Sequence, residues 1–160
     1  MKVYQLTRKQ KIDRPIDEVW EFFSSPNNLR KITPADMDFN VRSELPDEMY
    51  PGMIIEYQVR PIASIPVTWV TEITQLQPPH FFIDEQRVGP YSFWHHQHHF
   101  RSLGIKGGTE IVDLVHYSVP LGILGRFAHW LFIDKQLNAI FDYRNEVIGQ
   151  LFPKVTAVTE

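Results

Sequence analysis

The sequence predicts an α+β fold in which an antiparallel sheet carries two short helices near its start and one long helix at its C-terminal end. Three observations carry this. Apolar residues recur with helical period only around residues 16–33 and beyond Pro120, while between those segments the period is two. Short glycine- and proline-containing turns join the last three strands, as antiparallel neighbours require.

Residues 3–12 read as the first strand. Ile16, Val19, Trp20 and Phe23 then fall at i, i+3, i+4 and i+7 behind Pro15, which suits the start of an amphipathic helix. A second brief helix at 27–34 stops before Pro34, because the residue preceding proline disfavours helical geometry. Alternation follows. Met37, Phe39, Val41 and Leu45 share one face of a strand at 37–45, and Met53, Ile55, Tyr57 and Val59 share one face at 53–60 after the turn "PDEMYPG". Val67, Trp69 and Ile73 repeat the scheme at 66–76. Strands at 80–87, 92–103 and 109–119 are joined through "VGPY" and "GIKGG" as a meander.

After Pro120, Leu124, Phe127, Ala128, Leu131, Phe132, Ile140, Phe141, Val147, Ile148 and Leu151 mark a broad apolar stripe. Roughly 28–30 residues of helix are about 42–45 Å long, enough to cross the concave face of a sheet.

Composition bounds the function. The 160 residues, 43% hydrophobic and 13% aromatic, fit one domain over 1–160 without linker or repeat. A formal charge of −3 with no basic cluster argues against nucleic acid as a partner. The absence of cysteine removes thiolate ligands, cysteine nucleophiles and disulfides. The opening "MKVYQLTRKQ" lacks a signal-peptide apolar run, and "VPLGILGRFAHWLFI" is too short and too polar to span a bilayer. The expectation is a cytoplasmic protein without a membrane span.

The chemistry concentrates in "SFWHHQHHF", which holds four of the seven histidines in nine positions. In a strand His96 and His98 project with Trp94 and Phe100, whereas His95, Gln97, His99 and Arg101 project oppositely and read as a solvated face. Pairing Gln86 with Trp94 puts Asp84 opposite His96 and Phe82 opposite His98; pairing Phe100 with Ile111 puts His98 opposite Asp113 and Trp94 opposite Tyr117. Asp84, Gln86, Trp94, His96, His98, Asp113 and Tyr117 then form one polar and aromatic wall, provided the register does not slip by one. The opposite face carries Val112, Leu114 and Phe93, an apolar patch for which a homodimer is one cover.

"IDRPIDEVWEFFSSPNNLRKITP", "FFIDEQRVGPYSFWHHQHHF" and "GTEIVDLVHYSVPLGILG" together resemble the SRPBCC superfamily, the helix-grip proteins that include START and birch-pollen-allergen-like members, and within it a bacterial polyketide cyclase/dehydrase-like branch. The resemblance covers nearly the whole chain. It implies a curved seven-stranded antiparallel sheet gripping the last helix over a ligand cavity, and it implies no particular reaction.

Three chemistries compete for the wall. In the favoured one, a hydrophobic or amphipathic small molecule lies in the cavity against Trp69, Phe82, Phe100, Phe127 and Leu131, with its polar end near Asp84, Gln86, Trp94, His96, His98, Asp113 and Tyr117. In a catalytic alternative, Asp84 or Asp113 orients His96 or His98 for proton transfer and Tyr117 polarises a carbonyl, as in a cyclase or dehydratase. A metal centre would need Asp84 or Asp113 beside the two histidines; without a thiolate or a third histidine, no tightly held metal and no cofactor is expected.

Overall fold

The computed structural model describes residues 1–46, 48–62, 65–104 and 107–153. Seven strands form one antiparallel sheet: β1 (Tyr4–Ile12), β2 (Asn40–Val41), β3 (Ile54–Ile62), β4 (Ile65–Gln77), β5 (Phe81–Val88), β6 (Phe93–Ser102) and β7 (Thr109–Ser118), in the order β1-β7-β6-β5-β4-β3-β2. The first strand pairs with the last, and the rest follow as a meander. Irregularities between Val59 and Ile62, Val70 and Thr71, and Ile73 and Gln75 break the register. An unpaired residue bends its strand, and the sheet is curved around one face.

That face is filled by α1 (Ile16–Phe23), α2 (Pro26–Leu29, continued by a 3₁₀ turn at Arg30–Ile32) and a helix that runs unbroken from Gly122 to Leu151. The last comprises α3 (Gly122–Ala128), a π-helical turn (His129–Ile133) and α4 (Asp134–Leu151). Val19 and Phe23 anchor α1 against Ile12, Phe100, Ile111 and Ile148, and Leu137 and Phe141 anchor α4 against Leu6, Trp94, Val115 and Tyr117. Burying a side chain of this size contributes roughly 1.5–3 kcal/mol. The helix is therefore held at both ends of α4 and by both edges of the sheet's centre.

Two sequence expectations are corrected. The strand expected at 37–45 is only Asn40–Val41, preceded by a 3₁₀ turn at Ala35–Met37 and by Asp38 in the left-handed region at φ 44°. Asp38 accepts a hydrogen bond from Arg60 Nε at 3.0 Å, which ties this turn to β3. Phe39, Val41 and Leu45 still pack on Met53, Ile55, Tyr57 and Ile73, so their alternation reports burial and not strand pairing.

The second correction concerns the last helix. Its buried positions are Gly125 and His129, then Leu137, Phe141, Arg144 and Ile148. The extra residue accommodated by the π turn changes the helical phase there. Leu124, Phe127 and Leu131, counted in an uninterrupted stripe, consequently face outward, with Leu124 73% and Phe127 60% exposed. With Leu121, Ile123 and Trp130 they make an apolar outer surface at the start of this helix. Among the described residues no helix is long and apolar enough to cross a membrane.

The turn "GIKGG" is described only at Gly104, Gly107 and Gly108, since 105 and 106 lie outside the described residues. Gly108 adopts φ +71°, and a Cβ there would sit 2.1 Å from the carbonyl oxygen of Ile12. Only glycine lets β1 and β7 approach so closely at this corner.

Candidate functional site

The register that positions the site is Asp84 opposite His96 and Phe82 opposite His98 between β5 and β6, and His98 opposite Asp113 and Trp94 opposite Tyr117 between β6 and β7. Alternation along β6 buries Trp94, His96, His98 and Phe100 and leaves Phe93, His95, Gln97 and His99 on the outer face. The outer histidines are satisfied locally, His95 by Glu85 at 2.9 Å and His99 by Gln97 at 2.9 Å.

On the inner face two carboxylates and two imidazoles close on one another. His98 bridges both acids, with Nε2 2.8 Å from Asp84 Oδ2 and Nδ1 2.9 Å from Asp113 Oδ1. His96 lies beside it with ring centroids 3.7 Å apart, and its Nε2 is 3.1 Å from Asp113 Oδ1. From α4, Arg144 Nη2 reaches the same Asp113 oxygen at 3.3 Å. Its guanidinium carbon sits 5.3 Å from the Phe23 ring and 5.8 Å from the Phe141 ring. Phe82 stacks on His98 at 4.1 Å.

Their charges follow from these contacts. Burial alone would raise the Asp113 carboxyl, but the Arg144 charge and hydrogen bonds from His96 and His98 hold it well below its usual range. Asp84 is likewise lowered, burial being outweighed by the histidine pair and Arg144. Burial also disfavours charge on His98, yet hydrogen bonds to Asp113 and Asp84 prevail and raise it; Arg144 Nη2 lies 3.4 Å from its Nδ1 as well. His96 goes the other way, pushed down to about 4 by burial and by the charge on His98. It is therefore neutral at pH 7. Its Nε2 faces Asp113 at 3.1 Å and its Nδ1 faces Asp84 Oδ2 at 3.5 Å. The two carboxylates, Asp84 and Asp113, thus lie between the Arg144 guanidinium and an imidazole, His98, on which they favour the charged form.

This cluster forms a polar patch in a pocket of about 400 Å³ between the sheet, α1, α2 and the long helix. Asp84, His96, His98 and Arg144 line it, and Asp113 lies behind them. The remaining lining is mostly apolar and aromatic, with Ile55, Tyr57, Trp69, Tyr91, Trp94 and Phe141 prominent.

No family model and no curated protein matches the chain. Solved structures do. Protein Ms6760 from Mycobacterium smegmatis is 14% identical with a TM-score of 0.63, covering 94% of this chain and 98% of its own. Ginseng major latex-like protein 151 from Panax ginseng is 12% identical with a TM-score of 0.67, covering 94% and 97%. Norcoclaurine synthase from Thalictrum flavum, solved in complex with dopamine and hydroxybenzaldehyde, is 13% identical with a TM-score of 0.65, covering 93% and 88%. The chain has the helix-grip fold. At these identities the likeness establishes the fold and leaves the chemistry to the residues.

Of the residues singled out from sequence, Trp69, Phe82, Asp84, Trp94, His96 and His98 line the helix-grip pocket. Six do not. Phe127 and Leu131 face outward, beyond the phase change in the helix. Phe100 is packed under Trp20, Phe23 and Phe82. Gln86 spends its amide on the backbone of Tyr91, 2.7 Å from the carbonyl oxygen. Asp113 supports the cluster from behind, and Tyr117 is 1% exposed with its hydroxyl 2.8 Å from His129 Nε2. Tyr117 therefore has no carbonyl to polarise in this pocket.

Sequence reasoning missed Arg144. The signal was present, because Arg144 falls in the apolar series Leu137, Phe141, Ile148 and a charge at such a position needs a buried partner. Asp84, His96 and His98 also present ligand atoms within 4.8 Å of one another, a spacing that suits a divalent ion. Both nitrogens of His98 are already committed to carboxylates, and Arg144 places a positive charge alongside, so a metal would have to displace a proton against that charge.

Proposed function

We propose that this protein binds a hydrophobic or amphipathic small molecule in the pocket between the sheet and the long helix, with the ligand's polar end at Asp84, His96 and His98. The observation that carries the reading is the distribution of polarity: a mostly apolar and aromatic lining in which Asp84, His96, His98 and Arg144 gather in one place. Small-molecule sites are built this way, with apolar walls for affinity and a few polar groups for orientation, and roughly 300–1,000 Å³ is their usual range. The fold supports it too, since the helix-grip family is one of ligand-binding proteins and the norcoclaurine synthase structure holds two aromatic compounds.

A cyclase- or dehydratase-like reading draws on the contrast between His98, whose pKa is raised, and His96, whose pKa is lowered to about 4. It is the weaker reading, because Tyr117, the group expected to polarise the carbonyl, is held against His129.

Native mass spectrometry of the protein as purified tests the proposal. One apolar species per chain, lost from the Trp69→Ala variant while the fold is retained, is the expected result. A wild-type chain that neither carries such a species nor takes up any member of an apolar compound series contradicts it.

A further inference from the structure

We infer that the outer face at the start of the long helix docks on an anionic lipid surface, with the rim of the pocket set against it. This goes beyond the binding reading and does not depend on it, because it uses the pocket's position and not its contents.

Between Leu121 and Phe132 the helix turns its small residues inward and its large ones outward. Gly125 is buried against the Pro120 carbonyl, and His129 is buried under Tyr4 and hydrogen-bonded to Tyr117. Leu121, Ile123, Leu124, Phe127 and Trp130 are 60–78% exposed, and Leu131 and Phe132 follow at 44%. A helix that packs on a core does the reverse. Phe127 and Trp130 lie against one another with ring centroids 6.1 Å apart, so the face is continuous along the helix. An apolar surface of this kind marks an interaction site.

Two observations select an anionic lipid surface as the occupant. The first is charge. The chain carries a formal −3, yet the charges around this face are mainly basic: Arg126 stands one turn before Trp130, Lys135 follows Phe132, and Asp134 is the one acidic residue between 119 and 137. Lys2 joins them, its Nζ 4.8 Å over the Tyr4 ring that stacks on His129. Trp, Phe and Leu flanked by Lys and Arg is the composition with which a helix lies in a membrane interface. The second is position. Among the described residues that line the pocket, Pro120, Leu121 and Phe132 alone are exposed, and all three belong to this face or its edge. The most open part of the pocket wall thus borders the surface that would meet the lipid. A second copy of the chain fits less well, since a stable interface takes about 20–30 residues a side. A symmetric pair would also set the same basic residues against one another.

Flotation of the whole chain with vesicles of phosphatidylcholine, alone or with about 30% phosphatidylglycerol, reads the attachment. The chain should partition about tenfold more strongly onto the anionic vesicles, and high salt should narrow the difference. The double variant Phe127→Ser, Trp130→Ser should lose about tenfold, and Arg126→Glu about fivefold on the anionic vesicles. Circular dichroism checks that the double variant is folded; Arg126→Glu removes no apolar contact and decides the matter should it not be. No attachment of the wild type, equal attachment to both vesicles, or attachment that neither variant weakens overturns the inference. So does a dimer in sedimentation velocity that the double variant dissociates, because the face then belongs to a second copy. Each of these results leaves the pocket reading standing, and a chain without a pocket ligand that still floats with anionic vesicles leaves this inference standing.

Discussion

His96 and His98 stand two positions apart on one face of one strand, yet their surroundings shift their pKa values in opposite directions, and stability should record it. Folded His96 takes its proton only near pH 4, while an unfolded imidazole takes it near 6.5. Between those values the unfolded chain holds more protons, so stability rises with pH across this window, by about 3 kcal/mol in total. His98 has the reverse sign. Its folded value is raised, so its contribution is complete below 6.5 and is lost as pH climbs through the folded value. Asp84 and Asp113, both lowered, contribute above the normal carboxylate range and lose that contribution only as pH falls through their folded values. Urea midpoints measured across pH should trace a dome; His96→Gln should flatten its acid limb and His98→Gln its alkaline limb. A level wild-type profile would refute the assignment. Removing Asp113 should be severe, because Asp113→Asn leaves His98 and Arg144 without their shared anion: about 3–5 kcal/mol is expected. Combined with Arg144→Met the loss should be smaller than the sum of the two single losses, a double-mutant cycle that measures the coupling.

At the scale of elements, the junction between β7 and the long helix decides which residues reach the pocket. Tyr117 at the end of β7 holds His129 in the π turn, and Tyr4 stacks on that imidazole at 3.6 Å. Tyr117→Phe should cost about 1 kcal/mol in thermal or chemical unfolding, the usual worth of one hydrogen bond, and leave ligand affinity unchanged. A large loss of affinity would return Tyr117 to the site. Gly125 packs so closely that a Cβ would stand 1.8 Å from the Pro120 carbonyl oxygen, and Gly125→Ala should destabilise by roughly 1–3 kcal/mol in the same assay. This junction also marks where the sequence stopped being readable. The strands around Asp84, His96, His98 and Asp113 were legible because period-two patterning and turn spacing fix their register. The outward turn of Phe127 and Leu131 was not, because a single extra residue in a helical turn changes the phase without any glycine or proline to announce it. Asp38 escaped for a similar reason, its left-handed backbone interrupting an apolar alternation that continues on either side.

Across the whole molecule, the pairing of β1 with β7 and the packing of α4 over both halves of the sheet enclose a volume that no single element defines. The four tryptophans sample its surroundings separately. Trp69 and Trp94 line the pocket and meet edge to face at 5.3 Å, Trp20 is wedged against Phe82 and Phe100, and Trp130 is 71% exposed on the outer surface of the long helix. Titration with decan-1-ol, followed through the indole N–H resonances in a ¹H–¹⁵N correlation spectrum, tests the central claim most directly. Binding in the pocket predicts saturable shifts at Trp69 and Trp94 with Trp130 unmoved; shifts confined to Trp130 would place the ligand on the outer apolar surface and contradict the account.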